Sequence, residues 1–184
     1  MTLAAAPDER TLVHVLRKAA DAFPDKDWLV TDAGAATYRE METMSNRLAN
    51  GLAAAGIGGG RTVLVMMQDV IEFVAVWAAM CKTGGIEVPV NTAYRGDILV
   101  HVANDSRAET FILDGRFLER FEAVAERLLH VKRIFVRGDK DLAYGRIMEV
   151  MGTITQGGFT KVALLAEQTV APAAAAKPAS GPHK

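Results

Sequence analysis

Thr62-Val63-Leu64-Val65-Met66, then Val70-Ile71-Glu72-Phe73-Val74-Ala75-Val76-Trp77-Ala78-Ala79-Met80-Cys81-Lys82, then Ile86-Glu87-Val88-Pro89-Val90, is the stretch that decides the fold. The first block is a continuous apolar run of strand length, the pattern of a strand buried on both faces. The second has helical length, and Gly84-Gly85 separates it from a third run of strand length. Glu72, Lys82 and Glu87 rule out a membrane span of about 20 lipid-facing residues. A buried helix between two buried strands is the remaining reading.

Working outward, the alternation continues in both directions. Leu12, Val15, Leu16, Ala19, Ala20 and Phe23 fall at helical spacing behind the cap candidate Thr11, and Pro24 ends the run. Trp28-Leu29-Val30 reads as a short strand and Ala33-Gly34-Ala35 as a turn. Thr37 with Glu40 has capping-box form and opens a helix whose inner face is Met41, Met44, Leu48 and Leu52. Gly56 supplies the stop. Beyond Val90, helices are expected at about 97–104, 117–129 and 144–155, and strands at 110–113, 133–136 and 161–166. The predicted class is α/β: alternating strands and helices, a mostly parallel sheet covered by helices on both faces, and a disordered C-terminal tail. That tail, 169–184, is rich in Ala and Pro and has no large apolar residue after Val170.

The chain has 184 residues, 21 Lys+Arg against 22 Asp+Glu, and 50% hydrophobic residues. This balance leaves no global field to attract nucleic acid or anionic lipid. One cysteine excludes an internal disulfide and any zinc site built from cysteines. Met1 to Pro7 is short and uncharged, and Asp8-Glu9-Arg10 stands where a signal peptide would place its apolar core. The expectation is a cytoplasmic protein with no membrane span and no nucleic-acid partner; the oligomeric state is left open.

Chemistry-bearing motifs are sparse. Gly56-Ile57-Gly58-Gly59-Gly60 follows a helix and precedes a strand, the reverse of a dinucleotide fingerprint, and reads as a helix stop and turn. Gly157-Gly158-Phe159-Thr160-Lys161 lacks the first glycine and the ending of a phosphate loop. His14, His101, His130 and His183 are scattered, Ser45 and Ser106 stand in no nucleophile-elbow context, and Cys81 reads as a small buried hydrophobe. Asp139-Lys140-Asp141 follows a strand, where α/β folds place ligands, and reads as a solvated loop. The two Arg-Gly-Asp tripeptides, at 95–97 and 137–139, carry no meaning in a cytoplasmic chain.

Two resemblances run along the chain. From about Thr11 to about Arg133 the matching stretches are Thr37-Tyr38-Arg39-Glu40, Ser45-Asn46-Arg47-Leu48-Ala49, Val63 to Met67, Glu72-Phe73, Gly84 to Thr92, His101 and Asn104-Asp105-Ser106. These resemble the start of the large N-terminal domain of adenylate-forming acyl-CoA synthetases, AMP-dependent ligases. The form around Asn91 to His101 resembles the carnitine or crotonobetaine CoA-ligase branch. The resemblance implies ATP, Mg²⁺ and coenzyme A as the family's cofactors and an acyl adenylate as its intermediate. The family's phosphate loop, its acidic residues for ribose and metal, and its catalytic lysine have no counterpart to carry over. No catalytic, cofactor-binding or metal residue is therefore assigned, and no cofactor is expected for this chain alone.

From about Ile134 to Gln168, Phe135 to Asp141, Tyr144-Gly145-Arg146, Met148 to Met151 and Gly157 to Leu164 resemble the C-terminal end of ExbD/TolR-type proteins. In that family the segment is the last strand-helix-strand of a periplasmic domain. The expected organisation is a ligase fragment over 1–133, an ExbD/TolR-like strand-helix-strand over 134–168 and the tail over 169–184. The residues leave open a natural fusion, an assembly error or an engineered splice as the origin of this chimera. They imply a truncated, catalytically incomplete ligase, with two alternatives: a non-enzymatic interaction module, or a subunit completed by a separate chain.

Overall fold

Five strands form one parallel sheet, and each step of its construction follows from the alternation of its side chains. The computed structural model describes residues 11–68 and 70–138, and the backbone alone of 161–165. Helix α1 (Leu12–Ala22) starts at Thr11, whose hydroxyl accepts from the His14 amide at 3.2 Å. A hairpin, β1 (Asp27–Thr31) and β2 (Gly34–Thr37), follows. Helix α2 (Tyr38–Ala54) is opened by the expected capping box. The Thr37 amide donates to Glu40 Oε2 at 2.8 Å, and the Glu40 amide donates back to Thr37 Oγ1 at 3.2 Å. Then come β3 (Thr62–Met66), α3 (Val70–Thr83), β4 (Ile86–Pro89), α4 (Gly96–Asp105), β5 (Thr110–Asp114), α5 (Leu118–Glu122), β6 (Arg133–Arg137) and β7 (Lys161–Leu165).

The sheet order is β4-β3-β5-β6-β7, and all four pairings are parallel. Successive side chains point to opposite faces. Val63, Val65 and Ile112 therefore pack beneath α2 and α3, while Leu64, Met66, Phe111, Leu113, Ile134 and Val136 pack beneath α4 and α5. The sheet is covered on both faces, as the unbroken apolar runs of its central strands β3 and β5 require. Each fully buried side chain of this size contributes roughly 1.5–3 kcal/mol. A third cluster, centred on Leu16, Met41, Ala75 and Ala78, seats α1 and the hairpin against α2 and α3.

The glycine cluster is the stop and turn that its position predicts. Gly56 takes φ +72, the left-handed form that closes α2. A Cβ on Gly58 would lie 2.7 Å from the Thr83 carbonyl oxygen, because this turn packs against the one between α3 and β4.

Three expectations are corrected. The turn expected at 33–35 is displaced: the Thr31 hydroxyl accepts from the Ala33 amide and donates to the Gly34 carbonyl, so Gly34 already begins a second strand. The single helix expected over 117–129 is broken into a 3₁₀ turn at Gly115–Phe117, α5, and another 3₁₀ turn at Ala125–Arg127. Asn104 explains the late break. Its side chain takes the Arg127 carbonyl at 3.0 Å and the Leu129 amide at 2.9 Å, groups that a continuing helix would need. Cys81, expected to be buried, is exposed on α3. The helix expected at 144–155, the Asp139-Lys140-Asp141 loop, the turn at 157–160 and the tail lie outside the described residues.

Candidate functional site

In an open parallel sheet, ligands meet the carboxyl ends of the strands where the strand order reverses. Here β4 follows β3 on one side and β5 returns to the other, so the reversal lies between β3 and β5. The side chains assembled at that edge are Glu72 in the first turn of α3, Asp114 at the end of β5, Arg116 just after it, and Arg137 at the end of β6.

Asp114 is fully buried and is the hub. Arg116 grips it in a fork, Nη2 to Oδ2 at 2.7 Å and Nε to Oδ1 at 3.1 Å, while the Arg116 amide also donates to Oδ1 at 3.2 Å. Bidentate pairing of this kind is the strong form of the guanidinium–carboxylate bond. Arg137 Nη1 lies 3.6 Å from Asp114 Oδ2, and its other terminal nitrogen is ion-paired with Glu72. Two carboxylates and two guanidinium groups cancel. The Arg116 side chain alone keeps substantial exposure, 42%, toward the edge. The arrangement is a charge-balanced brace that ties β5, β6 and α3 together. It supplies neither a free base nor an open cation cradle, and among the described residues no group of His, Cys, Asp and Glu is placed to hold a metal.

A second polar cluster joins α2 to α3. Lys82 Nζ donates to Glu42 Oε2 at 2.7 Å and to Ser45 Oγ and Asn46 Oδ1, each at 2.8 Å. Ser45 is itself buried and donates to the Met41 carbonyl at 2.6 Å. Its hydroxyl is spent within the helix pair, in keeping with the absence of a nucleophile-elbow context.

The loop after β4 is shaped by Asn91, whose Oδ1 accepts from the Ala93 amide at 2.8 Å. Ser106 donates to the Ala103 carbonyl at 2.8 Å, which closes α4. Thr37, Glu40, Glu72, Asn91, Asn104 and Ser106, all within the ligase-like stretches, thus serve as caps, turns and braces. His101 is exposed on α4.

Four titrating groups sit in shifted environments, among them Glu109, whose carboxyl is held low by its hydrogen bond from Lys132 and by that residue's charge. The amide and hydroxyl of Thr37 hold the Glu40 carboxyl below its usual range. Burial raises Glu87, on β4, to about 7, and its Oε2 has no partner among the described residues. Partial burial of the thiol, followed by the charge of Glu87, pushes Cys81 up, which disfavours the thiolate.

Comparison with known proteins decides what this architecture is. The family profile described as AMP-binding enzyme matches residues 16–178. The chain belongs to the AMP-binding enzyme family. It is 33% identical over 104 residues to a 3-hydroxybenzoate–CoA/4-hydroxybenzoate–CoA ligase of Thauera aromatica, a match covering 56% of this chain and 20% of that ligase. It is 30% identical over 119 residues to a 3-hydroxybenzoate–CoA ligase of Aromatoleum sp. (strain CIB), covering 65% of this chain and 23% of the relative. Among solved structures, it superposes on the anthranilate CoA ligase AuaEII in complex with anthranoyl-AMP with a TM-score of 0.68 at 24% identity, covering 78% of this chain and 28% of that one. A long-chain-fatty-acid CoA ligase described from Rhodopseudomonas palustris gives a TM-score of 0.64 at 28% identity, covering 70% of this chain and 33% of that one. The chain therefore spans less than a quarter of the two curated ligases.

Sequence reasoning missed the Glu72–Arg137–Asp114–Arg116 brace. Arg137 drew attention only through a tripeptide, and Glu72 only as a charge in an apolar run. The one local signal was an aspartate at the end of an otherwise apolar strand, followed two residues later by an arginine.

Proposed function

We propose that the chain is a truncated piece of an acyl-CoA-forming, AMP-dependent ligase and that alone it does not form an acyl adenylate. The observation that carries this reading is the extent of the match. The family profile covers the whole parallel sheet, while the chain spans only 20–23% of the curated CoA ligases. What the chain's own residues contribute at the carboxyl edge is a neutral, internally paired brace. Holding a triphosphate requires amides, cations and metal converging on one cradle.

The acid that a completed enzyme would activate is proposed on two grounds. The stretch from Asn91 to His101 supports a carnitine or crotonobetaine CoA ligase, and the two curated relatives above are named for hydroxybenzoates. Relatives named as synthase subunits, such as surfactin synthase subunit 1 of Bacillus subtilis at 28% identity, are similar over the same region. A separate chain completing the ligase fold, in a cytoplasmic setting, is part of this proposal. Among the described residues no helix is long and apolar enough to cross a membrane.

The second reading keeps 1–133 as the ligase fragment, 134–168 as an ExbD/TolR-like strand-helix-strand and 169–184 as a tail, and makes the chain a non-enzymatic interaction module. Its support is the run of residues from Phe135 to Leu164. The family profile runs on to residue 178 across the same stretch, and β7 pairs with β6 in the common sheet, which favours the ligase reading.

The test is incubation of the full chain with ATP, Mg²⁺, coenzyme A and carnitine, crotonobetaine or 3-hydroxybenzoate. Pyrophosphate release should equal the blank. Protein-dependent release that disappears on heat denaturation overturns the proposal.

A further inference from the structure

We propose that Glu87 is a proton-operated latch on the edge strand β4: with its proton it packs beneath α3 and β4 stays on β3, and on ionisation this edge opens locally to hydrate the carboxylate. Strand β4 runs into the Asn91 turn at the carboxyl edge of the sheet, so the latch sets how firmly that turn is held.

Position comes first. Strand β4 is four residues long, stands last on its side of the sheet and pairs with β3 alone. Val63 is the register partner of Glu87, and partners across a ladder point to one face. Val63 packs with Met80 in the cluster beneath α2 and α3. Glu87 therefore stands on the covered face of the sheet, where the pattern asks for an apolar side chain. Its Oε2 is buried and has no hydrogen-bond partner among the described residues.

The charged groups of the surrounding elements are committed elsewhere. On α3, Glu72 is turned onto Arg137, and the Lys82 ammonium is taken by Glu42, Ser45 and Asn46. Strand β3 has no charged residue, and Arg61 just before it pairs with Glu109. The titratable group that meets Glu87 from α3 is the Cys81 thiol, pushed up by its own burial and then by the Glu87 charge, so it brings no positive charge. An ionised carboxylate left buried and unpaired is costly, and it either binds a proton or moves to water. Burial raises Glu87 to about 7 accordingly.

Moving to water is easy at this edge. A single ladder holds β4, with the Ile86 amide on the Arg61 carbonyl at 2.9 Å and the Val90 amide on the Val65 carbonyl at 2.8 Å. Pro89 has no N–H to add to it. The chain enters β4 through Gly84-Gly85, with Gly84 at φ +69, and Ile86 is half exposed. Strand β5, by contrast, is held by ladders on both sides. Opening is therefore confined to the edge, as a unit with few contacts of its own.

Amide hydrogen exchange of the full chain at pH 6 and pH 8, each corrected for the intrinsic exchange rate, tests the latch. A carboxyl raised to about 7 holds the edge closed at low pH, and that hold is lost as pH rises through about 7. The Ile86 and Val90 amides should be less protected than those of Phe111 and Leu113 at both pH values. Their protection should fall about fivefold from pH 6 to pH 8. Glu87→Gln, of the same size and without the charge, should remove the fall. Protection at Ile86 and Val90 equal to that of β5 would show that the edge does not open on its own, and would overturn the latch. So would protection that is the same at the two pH values, or the same fall in Glu87→Gln, which would assign it to another group. The pH series on the wild-type chain decides the matter without the variant.

Discussion

Replacing Lys82 with methionine should destabilise the fold by about 3 kcal/mol. The ammonium is 8% exposed and its three protons are matched by three side-chain oxygens, those of Glu42, Ser45 and Asn46. Methionine keeps the length and the apolar stem but leaves Glu42, 16% exposed, facing an uncharged partner. Removing one member of a buried ion pair costs about 3–5 kcal/mol. Glu42 keeps one bond, from Asn46 Nδ2 at 3.1 Å, which places the cost at the lower end, about 3 kcal/mol. With a urea slope of about 1–3 kcal/mol per molar, the unfolding midpoint should fall by about 1–3 M, read from the fluorescence of Trp28 and Trp77. The double variant Glu42→Leu with Lys82→Met removes both charges and should recover most of that loss. A single-variant cost below about 1 kcal/mol, or two single costs that simply add, would refute the reasoning, because it would show that the pair behaves as a surface contact.

Glu87→Gln should raise stability at pH 8 and leave it unchanged near pH 4. A carboxyl raised from 4.5 to about 7 binds a proton in the native state that the unfolded chain has already lost, so the wild-type protein loses stability as pH rises through that window. The unscreened shift would be worth roughly 3 kcal/mol; partial exposure reduces the expected difference to about 1 kcal/mol in denaturant titrations at the two pH values, and equal stabilities at pH 8 would contradict it. Deleting 138–184 removes β7 and exposes the edge of β6 along five paired residues, so the midpoint should fall; a truncated 1–137 chain with unchanged midpoint and slope would show the end to be a passenger.

The periodicity of the sequence carried the fold because the central strands β3 and β5 hold unbroken apolar runs, Val63 to Met66 and Phe111 to Leu113, and each cap is a local event. Thr37 with Glu40 and the glycine at 56 are visible within a few residues of the boundary they set. The break in the 117–129 segment was not visible, because its cause is the side chain of Asn104, on another element. The same distance hid the braces: Glu72 and Arg137 are 65 residues apart, and Glu42 and Lys82 are 40 apart. Cys81 was misplaced for a different reason. An apolar helix pattern does not say which of its faces has a partner within the chain.

Among its described residues the chain holds the scaffold of an AMP-binding enzyme and, on the reading proposed above, no nucleotide cradle of its own. Binding precedes chemistry, so titration calorimetry of the full chain with Mg²⁺ and ATP tests it most directly. No saturable site tighter than about millimolar, equivalent to about −4 kcal/mol, is expected. A micromolar, Mg²⁺-dependent isotherm would contradict it and would show that the carboxyl edge around Arg116 binds phosphate despite its paired charges.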